Sequence, residues 1–176
     1  INVRVLTPIP LHEEDPSIKI DLISSGVNHS VIATRDGDVF SCGWGQHGQT
    51  GHNKKADLAK FKRIEFFTTL PPNKRRIREL SSGGEHSMIL TADGVVYIMG
   101  HFERTDFLTP TPITSFDDSD NFIVQIASGD FFGMVLTSKN NIYSFGENER
   151  GQCGIGSSIR FAASPTRVIF YENDEQ

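Results

Sequence analysis

SGVNHSVIATRDGDVFSCG, the stretch from Ser25 to Gly43, occurs three times in this chain in related forms. The second copy, Ser82 to Gly100, reads SGGEHSMILTADGVVYIMG, and the third, Ser128 to Gly146, reads SGDFFGMVLTSKNNIYSFG. Self-similarity at a period of roughly 50 residues is typical of solenoids, propellers and other repeat arrays. We therefore expect one continuous array, in which each unit packs against its neighbours.

Each copy contains two runs of β-forming residues joined by a turn. In the first copy Asp36-Gly37 separates VIAT from VFSC, and in the third copy Asn140-Asn141 takes the place of Asp-Gly. Asp-Gly between two such runs favours a hairpin with a type I′ turn, because both central residues of that turn need positive φ. Apolar residues at every second position before the first copy, Ile18, Ile20 and Leu22, predict a further strand.

Proline-containing segments between the copies predict a fourth strand in each unit. The segments at Thr7-Pro8, Thr111-Pro112 and Ser164-Pro165 look alike, and proline is tolerated on edge strands. Each unit is thus expected to hold four short strands, with the proline strand farthest from the centre. Only residues 55–62 remain as a candidate helix, so the sequence predicts an all-β chain.

Composition excludes several classes of protein. Hydrophobic residues make up 37% of the 176 residues, enough for a packed core, and no apolar run reaches membrane-span length. The net charge of −5 argues against general nucleic-acid or membrane-surface binding. The two cysteines, Cys42 and Cys153, fit small buried side chains in a reducing compartment better than a disulfide or a zinc site.

These motifs resemble the regulator of chromosome condensation (RCC1) repeat. Gly-x-x-His-Ser, Asp-Gly and Gly-Gln-x-Gly recur in the order of that family across residues 23–51, 80–100 and 126–156. The resemblance implies a β-propeller, which in this family typically has seven blades of four antiparallel strands. The chain would supply about three of these blades, near 7–56, 57–108 and 109–156, with the start of a further blade at 157–176.

The resemblance implies three classes of function. The first is a protein–protein interaction scaffold or adaptor within a larger propeller, which further RCC1-like blades of the same protein or another chain would complete. The second is a guanine-nucleotide exchange factor for a Ran-like small GTPase, which would work without covalent catalysis. The third is a recruiting or inhibitory module of a larger protein such as a ubiquitin ligase. We expect no cofactor and no metal ion, and an intracellular location in the cytoplasm or nucleus.

The candidate partner-binding residues are mostly basic. The segment 53–78 holds nine basic and two acidic residues, which indicates either a solvated pair of loops or a contact for an acidic protein surface. Trp44 is interpreted either as partly buried between blades or as part of a binding face. The Phe131-Phe132 pair is interpreted either as core filling or as an apolar contact on a propeller face. The resulting set is Lys54, Lys55, Lys74, Arg75, Arg76, Arg78, Trp44 and Phe131.

Other motifs are interpreted as structural. His29 and His86 occupy the same position in two copies, where a hydrogen bond to neighbouring backbone is favoured over metal binding or proton transfer. The G-x-x-x-x-G-Q-x-G segments 43–51 and 146–154 lack the ending of a phosphate-binding P-loop. The second copy is followed instead by residues 100–105 without Gly-Gln, a divergence that indicates drift or a local contact. The sequence contains no nucleophile elbow, C-x-x-C or H-E-x-x-H motif.

Overall fold

The computed structural model describes residues 18–102, 104–114, 116 and 122–170. In them the chain forms three four-stranded antiparallel sheets, each ordered along the sequence. The first sheet consists of β1 (Ile20–Ser25), β2 (His29–Thr34), β3 (Val39–Gly43) and β4 (Leu58–Arg63). The second consists of β5 (Ile77–Ser82), β6 (His86–Thr91), β7 (Val96–Phe102) and β8 (Thr105–Pro112). The third consists of β9 (Ile123–Ser128), β10 (Phe132–Thr137), β11 (Ile142–Glu147) and β12 (Phe161–Arg167).

The three sheets are arranged as the blades of a propeller. Strand β5 contacts β1 and β2, and β9 contacts β5 and β6, so the first strands of the sheets lie innermost. Cross-sheet bonds such as Gly84 N to Asp130 O, 2.9 Å, join these inner strands at one end. The strands β4, β8 and β12 are outermost. The predicted outer position of the proline strands is confirmed for Pro112 and Pro165, whereas Thr7-Pro8 lies outside the described residues.

The sheets divide the chain differently from the repeat units expected near 7–56, 57–108 and 109–156. Strand β12 pairs with β11, so the segment expected to start a further blade closes the third sheet instead. A proline strand therefore follows its hairpin within one sheet. The sequence pattern is equally compatible with a proline strand that comes before or after the hairpin of its sheet. A repeat carries the same four strands in either case.

In the part of the chain that the structure describes, helix is confined to short connections. Residues 55–62 contain the first part of β4 rather than a helix, because the backbone pairs with β3. The helix α1 (Glu65–Thr68) follows, and it buries Phe67 completely. The rings of Phe66 and Phe67 pack edge-on against Tyr97 with centroids 5.3 and 5.7 Å away. These two phenylalanines therefore fill the junction between the first two sheets from a helix, and not from an outer strand.

The core consists of two apolar layers, one on each side of the middle sheet. Alternate residues of a strand point to opposite faces, so Ile89 packs toward the first sheet with Val31 and Val39. Its neighbours Met88 and Leu90 pack toward the third sheet. The partners in that second layer are Ile126, Val135, Tyr143 and Phe145.

The hairpin turns contain one left-handed residue each, and the predicted type I′ turn is wrong. Gly37, Gly94 and Asn140 have φ of +89°, +82° and +61°, whereas the residue before each of them is not left-handed. Each connection has four residues rather than two, closed in the first sheet by Gly37 N donating to Thr34 O at 3.1 Å. Asp-Gly suits both turns, because glycine supplies the single left-handed position here.

Substitution of Gly37 or Gly94 by valine is expected to lower the free energy of unfolding by about 2 kcal/mol or more, because a β-branched residue disfavours positive φ. A Cβ atom at Gly37 would also lie 2.4 Å from Arg75 O. Urea unfolding measures the change, and Asn140→Gly in the third turn is the control, expected to shift stability by less than about 0.5 kcal/mol. Valine variants as stable as the wild type would contradict the left-handed assignment.

His29 joins the first two sheets, so its role is structural as expected, although its ring bonds to a side-chain hydroxyl where a bond to backbone was favoured. Its Nε2 lies 2.7 Å from Ser87 Oγ on β6, and the Ser87 hydroxyl donates onward to Gln49 O at 3.4 Å. His86 occupies the same position in the second sheet, but its counterpart to Ser87 is Gly133. Both ring nitrogens of His86 are buried without a hydrogen-bond partner among the described residues. Burial lowers the pKa of His29 and of His86 to about 4, so both are neutral at pH 7.

Candidate functional site

The connections between strands form two opposite faces. Because neighbouring strands are antiparallel, connections after the first and third strands of each sheet lie at one end, here named the upper face. Those after the second and fourth strands lie at the other end, the lower face. The upper face includes residues 26–28, 44–57, 83–85, 129–131 and 148–160. The lower face includes residues 35–38, 64–76, 92–95 and 138–141.

The basic segment 53–78 is divided between the two faces. Lys54 and Lys55 lie on the upper face, whereas Lys74, Arg75 and Arg76 lie on the lower face. The six residues of β4 separate them, a distance of about 20 Å at the rise of a β-strand. Arg78 is the second residue of β5, near the lower end. The structure therefore does not bring the predicted basic residues together into one patch.

Two of the lower-face cations form ion pairs with aspartates of the neighbouring hairpin turns. Arg75 Nη2 lies 3.1 Å from Asp38 Oδ1, and Lys74 Nζ lies 4.0 Å from Asp93 Oδ2. Both pairs are partly exposed, which limits each to about 1 kcal/mol or less. Arg76 and Arg78 are exposed. The lower face thus carries positive charges that are only weakly paired with acidic side chains of the chain itself.

Reversal of the charges at Lys74, Arg75 and Arg76 to glutamate is expected to leave cooperative folding intact. The expected loss of unfolding free energy is about 1 to 2 kcal/mol, because two partly exposed ion pairs are removed and two acidic contacts are created. Denaturant titration followed by circular dichroism measures it, with Arg76→Glu alone as the control. Loss of the cooperative transition in the triple variant would show that these residues hold the fold.

Trp44 lies on the upper face and is half-buried. Its backbone N donates to Asn28 O at 2.8 Å, and its ring packs edge-on to His47 with centroids 5.2 Å apart. The indole lines an open cleft of about 530 Å³ together with Asn28, Asp57, Leu58 and Ala59. This position supports the reading of Trp44 as a contact residue, because an aromatic ring beside an open cleft is available to a partner.

Phe131 also lies on the upper face, and 38% of its side chain is exposed. The neighbouring Phe132 is half-buried, with its ring over Gly129. Between the inner strands the three Ser-Gly ends enclose a depression of about 350 Å³. Val27, which the sequence analysis did not single out, lines this depression and is 69% exposed. The upper face therefore presents apolar side chains at Val27, Trp44 and Phe131.

The glycine-rich segments 43–51 and 146–154 form the same closed loop. In both, glycine amides bond three residues back, as in Gly48 N to Gly45 O and Gly151 N to Asn148 O. The glutamine side chain of each loop accepts from a backbone N–H of its own loop, at 3.0 Å for Gln49 and 2.9 Å for Gln152. Since the amide closes the loop internally, the motif is structural in this chain.

Lys55 binds the neighbouring sheet. Its ammonium forms an ion pair with Asp106 on β8. Lys55, together with the rings of His101 and His47, holds the pKa of the Asp106 carboxyl well below its usual range. Lys54 is exposed. Of the two predicted upper-face lysines, Lys55 is thus occupied by an internal contact, which leaves Lys54 as the cation that faces solvent.

The described part of the chain contains no helix of the length and apolar character needed to cross a membrane.

Comparisons with known proteins give one consistent family. Sequence models of the regulator of chromosome condensation (RCC1) repeat match residues 20–49 and 123–152, and residues 36–90, together more than half of the chain. The ultraviolet-B receptor UVR8 of Arabidopsis thaliana is 27% identical over 166 residues, which cover 90% of this chain and 36% of the receptor. The E3 ubiquitin-protein ligase HERC2 of Homo sapiens is 30% identical over 151 residues, 80% of this chain and 3% of the ligase.

The fold is similar to that of a solved RCC1 structure. Prp20p from Saccharomyces cerevisiae, a protein with binding properties to Gsp1p and histones, superposes with a TM-score of 0.74 at 25% identity. The match covers 86% of this chain and 38% of Prp20p. The chain thus spans little more than a third of UVR8 and of Prp20p, and a small part of HERC2.

Proposed function

Since this chain belongs to the regulator of chromosome condensation (RCC1) repeat family, we propose that it is a segment of an RCC1-type β-propeller that serves as a protein-interaction platform. Further RCC1-like blades, from the same protein or another chain, adjoin its two end sheets. The partner is a protein that contacts the upper face. The expected location remains the cytoplasm or nucleus.

The exposure of Ile23 carries the proposal that a neighbouring blade is missing. Ile23, Leu80 and Ile126 hold the same register position, because each pairs with the fourth residue of the second strand of its sheet. Ile126 is 3% exposed and belongs to the layer against the second sheet. Leu80 packs likewise against the layer shared with the first sheet. Ile23 is 78% exposed, because no sheet of the described residues packs against its side of the first sheet.

Among the described residues, the other end of the array is open as well. Gly48 and Gly151 are equivalent glycines of the two closed loops. A Cβ atom at Gly48 would lie 2.8 Å from the Cα of Leu108 in the following sheet, whereas one at Gly151 would meet nothing within 4 Å. A ring-forming repeat protein with two open ends exposes apolar surface that a further blade would cover.

The upper face supports an interaction role through its apolar side chains. Val27, Trp44 and Phe131 lie among polar loops, and aromatic residues of this kind are common anchors of protein interfaces. This role does not require the glycine-rich segments 43–51 and 146–154 to bind phosphate. The mechanism is shape-complementary binding, in which a partner covers the cleft at Trp44 and the depression between the inner strands.

Photo-crosslinking in the cell tests this role. A photoreactive phenylalanine analogue placed at Val27 or Phe131 is expected to crosslink a discrete protein, which mass spectrometry then identifies. The same analogue at Arg76 on the lower face is the control and is expected to give no such product. Equal crosslinking at both faces, or none at the upper face, would overturn the assignment.

Guanine-nucleotide exchange is the second candidate, favoured by the similarity to Prp20p, which binds Gsp1p. Nucleotide release from a Ran-like GTPase, measured with and without the protein, distinguishes exchange from simple binding. Acceleration that is lost in Phe131→Ala and kept in Arg76→Ala would support exchange through the upper face. The similarity to HERC2 favours the third possibility, a recruiting module of a larger ligase.

A further inference from the structure

Two histidines and an aspartate converge where the first and second sheets meet at the upper face. His101 and Asp106 are direct partners across β7 and β8, and His47 comes from the closed loop of the first sheet. His101 Nδ1 lies 2.6 Å from Asp106 Oδ1, and His47 Nδ1 lies 3.2 Å from the same oxygen. One nitrogen or oxygen of each residue lies within 4.8 Å of those of the other two.

The backbone around these three side chains is fixed by hydrogen bonds. His47 N donates to Gln49 Oε1 at 3.0 Å within its loop. Asn53 N donates to Leu108 O at 2.8 Å, which fastens the first sheet's loop to β8. Ring packing adds to this, since the His47 and His101 centroids are 5.1 Å apart. The three ligand groups are thus held in place by elements of two different sheets.

We propose that His47, His101 and Asp106 bind one divalent transition-metal cation of the Zn²⁺ class, which joins the first sheet to the second. Two imidazole nitrogens and one carboxylate oxygen form a donor set that such cations prefer, with a fourth position open to water. This revises the expectation from sequence that the chain binds no metal ion. The proposal stands whichever partner the propeller binds.

The surroundings of His47 fit the outer shell of a metal site. When the Nδ1 lone pair faces a cation, the neutral imidazole carries its proton on Nε2. The Nε2 of His47 lies 3.9 Å from Glu85 Oε2, and a metal-bound histidine commonly donates this N–H to a carboxylate. At 3.9 Å this is not a direct hydrogen bond, but Glu85 places a carboxylate next to the outer nitrogen of His47. Lys55 acts in the opposite sense, because its ammonium occupies the other oxygen of Asp106.

The third sheet provides a natural comparison. Its closed loop has the same backbone bonds, but Arg150 stands at the position of His47 and Glu147 at that of His101. The ligand set is therefore a property of one junction and not of the repeat. One ligand, His101, lies in the segment after the second copy, 100–105, whose divergence from the repeat indicates drift or a local contact.

Cobalt(II) titration of the purified, chelator-treated protein tests the site, because imidazole-bound Co²⁺ has a visible absorption that reports its ligands. We expect one Co²⁺ per chain, displaced by Zn²⁺. His47→Gln and His101→Gln should each weaken binding at least tenfold, and Arg150→Gln should leave it unchanged. Lys55→Gln should tighten binding several-fold, because the competing ammonium is gone.

Four results would overturn the proposal. They are absence of saturable binding, binding unaffected by both histidine variants, equal weakening by Arg150→Gln, or weaker binding in Lys55→Gln. Circular dichroism at pH 7 verifies that each variant is folded. If a histidine variant unfolds, the opposite sign expected for Lys55→Gln decides alone, since that change removes only a half-exposed surface cation.

Discussion

Acidification from pH 7 to pH 4.5 is expected to lower the free energy of unfolding by about 5 kcal/mol through the two buried histidines His29 and His86. The partly buried His52, whose pKa burial also lowers to about 4, adds about 2 kcal/mol. The pKa of each falls from 6.5 in the unfolded chain to about 4 in the folded one. Below pH 6.5 the unfolded chain therefore binds protons that the folded chain does not. Stability is lost progressively as the pH falls from about 6.5 to about 4, at about 2 to 3 kcal/mol per histidine.

Urea unfolding at a series of pH values measures this loss, and a matched pair of variants assigns it. His86→Phe should be neutral or stabilising at pH 7, because the ring nitrogens of His86 have no hydrogen-bond partner among the described residues and Phe132 already occupies the same position in the third sheet. It should also remove roughly a third of the pH dependence, because His29 and His52 carry the rest. His29→Phe should cost about 1 to 2 kcal/mol at pH 7, because the bond to Ser87 is lost. Unchanged stability from pH 6.5 to 4.5 would contradict the assignment.

Gly48→Ala is expected to cost about 3 kcal/mol or more, whereas Gly151→Ala should cost only about 1 kcal/mol. Both glycines are left-handed, with φ of +85° and +74°, so the conformational penalty of about 1 to 2 kcal/mol is shared. Of the two, only Gly48 packs against a neighbouring sheet. The added methyl group would lie 2.8 Å from Leu108 Cα and 2.9 Å from Phe107 O. The difference between the two variants isolates the contact between neighbouring blades.

Thermal or urea unfolding of both variants gives this difference directly. Equal destabilisation would mean that the first two sheets are not packed as described, or that the third loop is covered too. When a further blade adjoins the third sheet, Gly151→Ala should become as costly as Gly48→Ala. The same pair of substitutions therefore reports whether the ring is extended.

Local patterns were sufficient to predict the strands of this fold. Alternating apolar residues and a turn pair set the hairpins, since both signals depend on residues close in sequence. The turn type was mistaken because Asp-Gly fits a four-residue connection with one left-handed glycine as well as a two-residue one. The sequence also did not decide where one sheet ends and the next begins, because a proline strand can pair with the hairpin before it or after it.

The arrangement of the candidate functional residues depends on strand direction and on contacts between sheets. Neither can be derived from patterns of residues that are close in sequence. Lys54 and Arg76 are close in the chain, yet β4 carries them to opposite faces. His47 and Asp106 are far apart in the chain, yet neighbouring blades bring them together. The one available signal was the absence of Gly-Gln after Gly100. The exposure of Ile23 could not be predicted from the sequence either, because Ile23 stands at the same repeat position as the core residue Ile126.

The solution mass of the purified chain, measured by light scattering over a range of concentrations, tests most directly whether its end sheets need neighbouring blades. A chain with both end sheets open should associate, with a mass above the 19.6 kDa of one copy. Ile23→Lys, which places a charge on the open side of the first sheet, should return the mass toward 19.6 kDa. A folded monomer of 19.6 kDa at every concentration, unchanged by Ile23→Lys, would contradict the account.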